Sequence, residues 1–170
     1  MIRERQLKLL INDKEKDGQS RVTFIRLVSL QLRLIELWRI PSGGFQEALV
    51  QLAIAAILGD RFTRGSPESS LKNMLNPVPP VLFKTKCNLS SIAAGTGLNR
   101  ETVRRIVNRL IDEGRLVRLA DKSINFSPGW AQNPMVQRVG QQQLEEFCRT
   151  ANLLLRDGLL YCEENDVPAI

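Results

Sequence analysis

The chain has 170 residues, of which 43% are hydrophobic and 25% are charged, a composition typical of a folded domain with added helices and too apolar for disorder. It contains no histidine, which excludes Ser-His-Asp and Cys-His catalysis and every metal site that includes histidine. The net charge of +6 is concentrated in residues 84–130, which carry nine basic and four acidic side chains, and this local excess predicts a polyanionic partner.

The three cysteines, Cys87, Cys148 and Cys162, are far apart and form no C-x-x-C pair. This spacing excludes a zinc ribbon or a thioredoxin-like site and predicts free thiols in a reducing compartment. A redox switch remains the alternative to inert thiols, because Cys87 enters the basic segment.

Residues 1–21 are mostly polar, and we predict a flexible arm or weak helix anchored by Leu9, Leu10 and Ile11. The segment lacks the apolar run of a signal peptide. The longest nearly unbroken apolar stretch, residues 48–58, is too short to span a bilayer. We therefore expect a cytoplasmic protein without membrane association.

Residues 22–62 are predicted to hold two apolar helices, 23–40 and 45–58, separated by the helix-breaking run Pro41-Ser42-Gly43-Gly44. Residues 63–83 form a proline-containing connection, in which Ser66, Pro67 and Glu68 predict the start of a short helix through Met74. Residues 78–82 should be extended, because residues before proline avoid the helical region. Trp38 and Trp130 are expected in the core or at an interface.

Residues 84–130 contain a helix, a tight turn, a second helix and a hairpin. Ser90 is expected to cap a short helix from Ser91 to Gly95 or Thr96, and Gly97 supplies the positive φ of a turn in which Leu98 points inward. Asn99 caps the second helix, residues 100–113, which Gly114 ends. Residues 115–119 and 124–127 are predicted strands. This order of elements is typical of a winged helix-turn-helix.

The second helix has an apolar and a charged face. At 100° per residue, the core face holds Val103, Ile106, Val107 and Leu110, and the opposite face is rich in arginine. Such side chains suit the major groove, where arginine donates to guanine, glutamate accepts from cytosine and asparagine pairs with adenine. The candidate flanking or phosphate contacts are Ser90, Ser91, Asn99, Thr102, Arg104, Asn108, Arg109 and, on the hairpin, Lys122.

The run IAAGTGLNRETVRRIVNRLIDEGRLVR resembles the helix-turn-helix of bacterial winged-helix transcription regulators, and its pattern is nearest to the catabolite-activator type. The resemblance covers little more than a quarter of the chain. It implies that Arg100, Glu101 and Arg105 contact bases. The helical wheel supports Glu101 and Arg105, whereas Arg100 lies nearer the apolar edge. Residues 1–83 do not resemble the cyclic-nucleotide domain of that family, so no cyclic nucleotide is inferred.

Residues 131–161 are predicted to form a C-terminal helix from Pro134 to Tyr161, followed by a frayed acidic tail, 162–170. A heptad-like seam runs along it through Gly140, Leu144, Phe147, Ala151, Leu154 and Gly158. The seam either packs on the N-terminal helices of the same chain or forms a dimer. We expect the N- and C-terminal helices to form the platform of a homodimer that reads inverted half-sites in double-stranded DNA.

The fold class predicted from the sequence is mainly α, with a winged helix-turn-helix and a two-stranded wing flanked by these helices. The predicted function is sequence-specific transcriptional regulation in a prokaryotic cytoplasm, at the nucleoid. The alternatives are a plasmid or phage replication or partition protein and a winged-helix protein-interaction scaffold; six arginines against three acids in residues 99–118 disfavour the scaffold. No catalytic constellation, cofactor motif or metal-binding pattern is present in the sequence, and a small effector stays open.

Overall fold

The computed structural model describes the backbone of residues 4–12, 21–65 and 87–167, and these residues are mainly α-helical. In chain order the elements are β1 (Glu4–Ile11), α1 (Arg21–Ser42), α2 (Phe45–Gly65), α3 (Leu89–Thr96), α4 (Arg100–Asp112), β2 (Leu116–Arg118), β3 (Ile124–Phe126), α5 (Pro134–Arg156) and β4 (Leu160–Val167). The short helix and the extended segment predicted for residues 66–82 lie outside the described residues.

The chain divides into two compact units, and the boundary falls within α1 and α5. Unit 1 comprises Met1–Leu34 and Gln142–Ile170, and unit 2 comprises Ile35–Gln141. Each unit is described separately below.

The main core of unit 2 is formed by the apolar faces of α2, α3 and α4 and by the β2–β3 hairpin. The residues buried together are Val50, Ile54, Leu58, Cys87, Ile92, Val103, Ile106, Val107, Leu110, Leu116 and Ile124. The predicted core face of α4 is therefore confirmed. Leu98, in the turn between α3 and α4, packs against this core, as the sequence predicted.

The residue that caps the N-terminus of α3 differs from the prediction. Asn88, rather than Ser90, is the N-cap residue: its Oδ1 accepts from the backbone N–H groups of Ser90 and Ser91, both at 3.0 Å. The Ser91 hydroxyl in turn accepts from the N–H of Asn88 at 3.1 Å. This reciprocal capping box satisfies N–H groups that a helix N-terminus leaves without partners.

The turn between α3 and α4 has the predicted geometry. Gly97 ends α3 with φ +70°, a left-handed conformation that glycine adopts without steric cost. Two residues later, the Asn99 side chain accepts from the N–H of Glu101 at 2.8 Å and caps α4. These local signals explain why α4 begins at Arg100.

Strands β2 and β3 form an antiparallel hairpin, with Leu116 paired to Phe126 and Arg118 to Ile124. Both strands are shorter than predicted. The hairpin is anchored to the entry of α3, because the N–H of Ile124 donates to the carbonyl of Cys87 at 2.8 Å.

A second apolar cluster in unit 2 joins the C-terminal part of α1 to α2 and the start of α5. Its buried residues are Trp38, Ala48, Val136 and Val139. Trp130 stacks on Phe126, with ring centroids 3.7 Å apart, and on Trp38 at 6.1 Å. Trp38 therefore lies in the core, and Trp130 is half-buried against it, within the core or interface position predicted for both.

Two helix ends differ from the sequence prediction. Helix α2 continues beyond residue 58 to Gly65. Helix α5 starts at Pro134 as predicted but ends at Arg156 instead of Tyr161. Gly158 has φ +73°, and the N–H of Leu159 donates to the carbonyl of Leu154 at 3.0 Å; a positive-φ glycine with such a closing bond is a common helix stop.

Unit 1 contains a two-stranded antiparallel sheet that the sequence reading missed. Strand β1 pairs with β4 from Glu4 opposite Val167 to Ile11 opposite Leu160. Residues 4–11 are therefore not an arm or a weak helix, and residues 162–167 are not a frayed tail. The pairing joins segments about 150 residues apart, a distance over which local sequence patterns carry no signal.

Two ion pairs of unit 1 link α1 to α5 and to the turn that follows it. Arg26 pairs with Asp157 at 2.6 Å, and Arg33 pairs with Glu146 at 3.0 Å. Glu146 also contacts Arg149 at 2.9 Å. These pairs orient the side of α1 that faces α5.

No single helix among the described residues is both long and apolar enough to cross a membrane. The sharply bent pair α1 and α2 meets the length and composition criterion only when its two helices are taken together.

The α4 core contact makes a direct stability prediction. Leu110 is fully buried, so Leu110→Ala should lower the free energy of unfolding of unit 2 by about 2–5 kcal/mol, through lost apolar burial and the cavity left behind. Urea unfolding followed by tryptophan fluorescence measures this, because Trp38 and Trp130 are the only tryptophans and both lie in unit 2.

The matched control is Met135→Ala, at a side chain that is 54% exposed in the same unit. It should change the free energy of unfolding by less than about 0.5 kcal/mol. Equal effects of the two substitutions would contradict the assigned position of the core.

Candidate nucleic-acid interface

The candidate interface is the solvent-facing side of α4 together with the β2–β3 hairpin. Burial of the opposite face of α4 leaves Arg100, Glu101, Arg104 and Arg105 exposed within the first two turns. The structure thus brings the three predicted base-contacting residues to one surface of unit 2.

Glu101 and Arg104 form a two-point ion pair on this surface. The Arg104 Nε donates to Glu101 Oε2 at 2.8 Å, and a terminal guanidinium nitrogen donates to Oε1 at 2.5 Å. The hydrogen bonds from Arg104, and then the charges of Arg104 and Arg105, hold the pKa of the Glu101 carboxyl below its ordinary value. Both oxygens that would accept from a base are therefore engaged in the free protein.

Arg100, Arg105 and Lys122 have no hydrogen-bond or ion-pair partner among the side chains that the structure describes. All three are exposed. Arg105 interacts with the Glu101 carboxylate only through its charge, and none of the three forms an ion pair within 4.0 Å of a described carboxylate, so they are available to phosphate or base acceptors.

Asn108 and Arg109, which the sequence predicted as flanking DNA contacts, are engaged within unit 2. Asn108 is half-buried, and its Oδ1 accepts from the guanidinium of Arg118 at 3.2 Å. Arg109 pairs with Glu47 of α2 and lies 4.0 Å from Glu113. In the free protein both side chains tie α4 to its neighbours.

Four smaller candidates lie at the starts of the two helices. Ser91 belongs to the α3 capping box, and Asn99 is the α4 cap. Ser90 is exposed on the first turn of α3, and Thr102 is half-buried on the first turn of α4. Exposed helix N-termini present backbone N–H groups that can meet phosphate.

The sequence reading missed two arginines near this surface. Arg118 on β2 is exposed and supports Asn108. Arg115 donates to the carbonyl of Pro41 and pairs with Glu113 at 2.9 Å. Both belong to the arginine excess of residues 99–118. Only the geometry of the hairpin shows that Arg118 is exposed, whereas Arg115 is held by contacts within unit 2.

The hairpin turn places Lys122 at an exposed tip with unusual backbone geometry. Lys122 has φ +67° and is the only residue other than glycine with positive φ among the described residues. Asp121 supports the turn by accepting from the N–H and hydroxyl of Ser123 at 3.0 and 2.5 Å.

The predicted dimer seam is divided by the structure. Leu144 and Phe147 are 63% and 54% exposed, Ala151 is half-buried and Leu154 is buried. Leu154 therefore packs within its own chain, and Gly158 lies beyond the end of α5.

The cysteines do not form a reactive cluster. Burial raises the pKa of the Cys87 thiol to about 11, against a smaller lowering by a hydrogen bond with Ser91. Cys148 and Cys162 are exposed. In the part of the chain that the structure describes, no three His, Cys, Asp or Glu side chains are grouped so that they could hold a metal ion.

Comparison with known proteins finds no family model, no curated protein and no solved structure that matches this chain.

The Glu101–Arg104 pair predicts a titration. Arg104→Ala should raise the pKa of Glu101 towards its ordinary value near 4.5, because the hydrogen bonds that favour the carboxylate are lost. The ion pair should persist at all pH values above the ordinary carboxyl range and be lost as the pH falls through the lowered pKa. Carboxyl carbon chemical shifts followed by NMR report both effects.

Arg105→Ala provides a graded comparison, because Arg105 acts on Glu101 only through its charge. It should raise the pKa of Glu101 by less than Arg104→Ala does. An unchanged Glu101 pKa in Arg104→Ala would show that the pair does not persist in solution.

Proposed function

We propose that this protein is a sequence-specific, double-stranded-DNA-binding transcriptional regulator in which residues 84–130 form a winged helix-turn-helix. The observation that carries the proposal is the set of exposed cations Arg100, Arg105 and Lys122, on one helix and the adjoining hairpin, which pair with no side chain in the described part of the chain. An exposed arginine without a carboxylate partner can meet polyanionic DNA without first breaking an ion pair.

The distribution of charge supports the same function. The sequence ranges of unit 2 hold fourteen basic and eight acidic residues, whereas those of unit 1 hold ten of each. The whole excess of +6 therefore belongs to the unit that contains α4. A concentrated positive field increases the rate of encounter with DNA and provides its non-specific affinity.

In this proposal α4 enters the major groove. Arg105 donates two hydrogen bonds to guanine O6 and N7, and Arg100 contacts a neighbouring base or phosphate. The resemblance of the 92–118 run to bacterial regulators favours the same residues, together with Glu101.

The Glu101–Arg104 pair competes with base recognition. Each carboxylate oxygen has two lone pairs, so a cytosine amino group can share the Glu101 carboxylate with Arg104, or Arg104 can turn to a phosphate. At a site without the matching cytosine, the Glu101–Arg104 pair is kept. The pair therefore offsets part of what Glu101 gains at the correct base.

Selection of binding sites from random duplex DNA tests the proposal. At about 0.15 M salt, where weak phosphate contacts are screened, the full-length protein should enrich a defined motif. Retention without a motif would indicate sequence-independent binding, and no retention would contradict a DNA function.

Arg105→Ala is the test of base recognition. It should weaken binding to the selected motif by about 1–3 kcal/mol and relax the preference at one base position, while binding to scrambled DNA changes little. Fluorescence anisotropy with matched and scrambled duplexes measures both effects.

The control for Arg105→Ala is Arg138→Ala, which removes one exposed positive charge from α5 in the same unit. It should change both affinities slightly and equally. Equal losses on matched and scrambled DNA for Arg105→Ala would refute its role in reading a base.

Lys122 makes a separate prediction, because its charge and its backbone conformation can be tested apart. Lys122→Ala should weaken binding to all sequences alike and reduce by about one the slope of log affinity against log salt. Lys122→Asn should cause the same loss of affinity, yet raise the free energy of unfolding by about 0.5–1 kcal/mol relative to Lys122→Ala, because asparagine tolerates positive φ.

Binding isotherms at several salt concentrations and urea unfolding of the same two variants provide these measurements. If Lys122→Asn binds as tightly as the unsubstituted protein, Lys122 does not contact phosphate.

A further inference from the structure

Unit 1 exposes apolar side chains far in excess of what it buries. Twelve of the fifteen large hydrophobic side chains that are exposed among the described residues belong to it. Its only buried hydrophobic side chain in the described ranges is Leu154. A folded unit is normally held by a shared apolar core, and the described residues of this unit form no such core.

The exposed side chains of α1 and α5 form continuous stripes. Phe24, Ile25, Val28 and Leu32 are between 43% and 69% exposed and fall within about 100° of the α1 circumference. On α5, Leu144 and Phe147 are exposed next to each other at a spacing of three residues. No charged side chain lies within either stripe, except Arg21 at the start of α1.

The β1–β4 ribbon adds a third apolar surface. Leu7, Leu9 and Ile11 alternate along β1 and are 68%, 43% and 70% exposed. Leu9 lies opposite Cys162 and Ile11 opposite Leu160, so these side chains share one face of the ribbon. An isolated two-stranded sheet is at best marginally stable in water and gains stability when an apolar face is covered.

We infer that unit 1 is one half of an obligate dimer core and that a second copy of this chain covers its apolar surface, so that unit 1 folds fully only on dimerisation. Nine of the exposed side chains, on the α1 stripe, on α5 and on one face of β1, amount to an apolar surface on the order of 1,000 Å² per copy, comparable with the ~800 Å² per partner of a standard stable interface. Obligate homodimer interfaces resemble a domain core cut in half, and unit 1 has this composition.

The charge of unit 1 favours a second copy over a lipid surface. Its sequence ranges hold ten basic and ten acidic residues, so two copies approach each other without net repulsion. Helices that lie on anionic membranes carry a strongly basic polar face, whereas the two arginines on the polar side of α1 are paired with Asp157 and Glu146.

This inference depends on unit 1 and not on the proposed DNA function, so the two can fail separately. Sedimentation of the full chain without DNA, from about 1 to 100 µM, should show a dimer. The thermal midpoint should rise with protein concentration, because association stabilises the folded state by mass action. A monomer over the whole range would overturn the inference, whereas a dimer that binds no DNA would overturn only the proposed function.

Two substitutions locate the interface. Ile25→Glu on α1 and Phe147→Glu on α5 should each raise the dimer dissociation constant at least about tenfold. The control is Ile40→Glu, since Ile40 is 70% exposed but belongs to unit 2; it should leave the dimer intact. A dimer that survives both unit 1 substitutions would place the interface elsewhere and overturn the inference.

A thiol measurement keeps the test decisive if those variants unfold. Cys148 is exposed beside Phe147, and Cys87 is buried in unit 2. In a Cys162→Ser variant, the reaction of Cys148 with an aromatic disulfide reagent should slow as the protein concentration rises, because dimerisation covers the stripe. A rate independent of concentration, or protection that appears only when neutral phosphatidylcholine vesicles are added, would contradict a second copy as the partner.

Discussion

The burial of one face of α4 is the constraint on which the proposed DNA surface depends. Val103, Val107 and Leu110 have no exposed surface, because α2, α3 and the β2–β3 hairpin cover them. A helix with one side held in this way cannot rotate without exposing those side chains, at a cost of about 1.5–3 kcal/mol each. The residues 100° to 180° away must then face water. The charged surface of α4 is thus a consequence of its apolar packing.

On that surface the structure separates arginines with different tasks. Arg109 and Arg115 contact neighbouring elements of unit 2, Arg104 is engaged by Glu101, and Arg105 has no partner among the described side chains. Exposed ion pairs contribute little to stability. The main effect of the Glu101–Arg104 pair is therefore on which hydrogen-bond donors can reach the Glu101 carboxylate. In the proposed complex, Arg104 competes with a cytosine amino group for the Glu101 carboxylate.

Local signals made unit 2 predictable. Gly97, Asn99 and the spacing of Val103, Val107 and Leu110 each act within one or two turns of helix, and the structure has the predicted α3, turn, α4 and hairpin. The fold of unit 1 depends on distant partners instead. Glu4 pairs with Val167, and the sequence of neither strand indicates that the other strand is its pairing partner. The end of α5 was predicted wrongly, because Gly158 fits both a position of the heptad-like seam and a helix-terminating glycine. The engagement of Glu101 and Asn108 depends on rotamers that spacing alone does not determine.

The pairing of β1 with β4 also sets an order of events during synthesis. Residues 87–126, which contain α3, α4 and the hairpin, make mostly short-range contacts and can fold as soon as they leave the ribosome. Strand β1 emerges first but has no partner until β4 follows it, on the order of ten seconds later at ordinary elongation rates. During that interval the backbone N–H and C=O groups of β1 lack the partners that β4 provides, and Leu7, Leu9 and Ile11 are exposed, as they remain in the folded chain. The nascent chain therefore exposes apolar side chains of an incomplete unit 1 at a stage when unit 2 can already fold. We expect chaperones to bind mainly to the segment that contains β1 and α1.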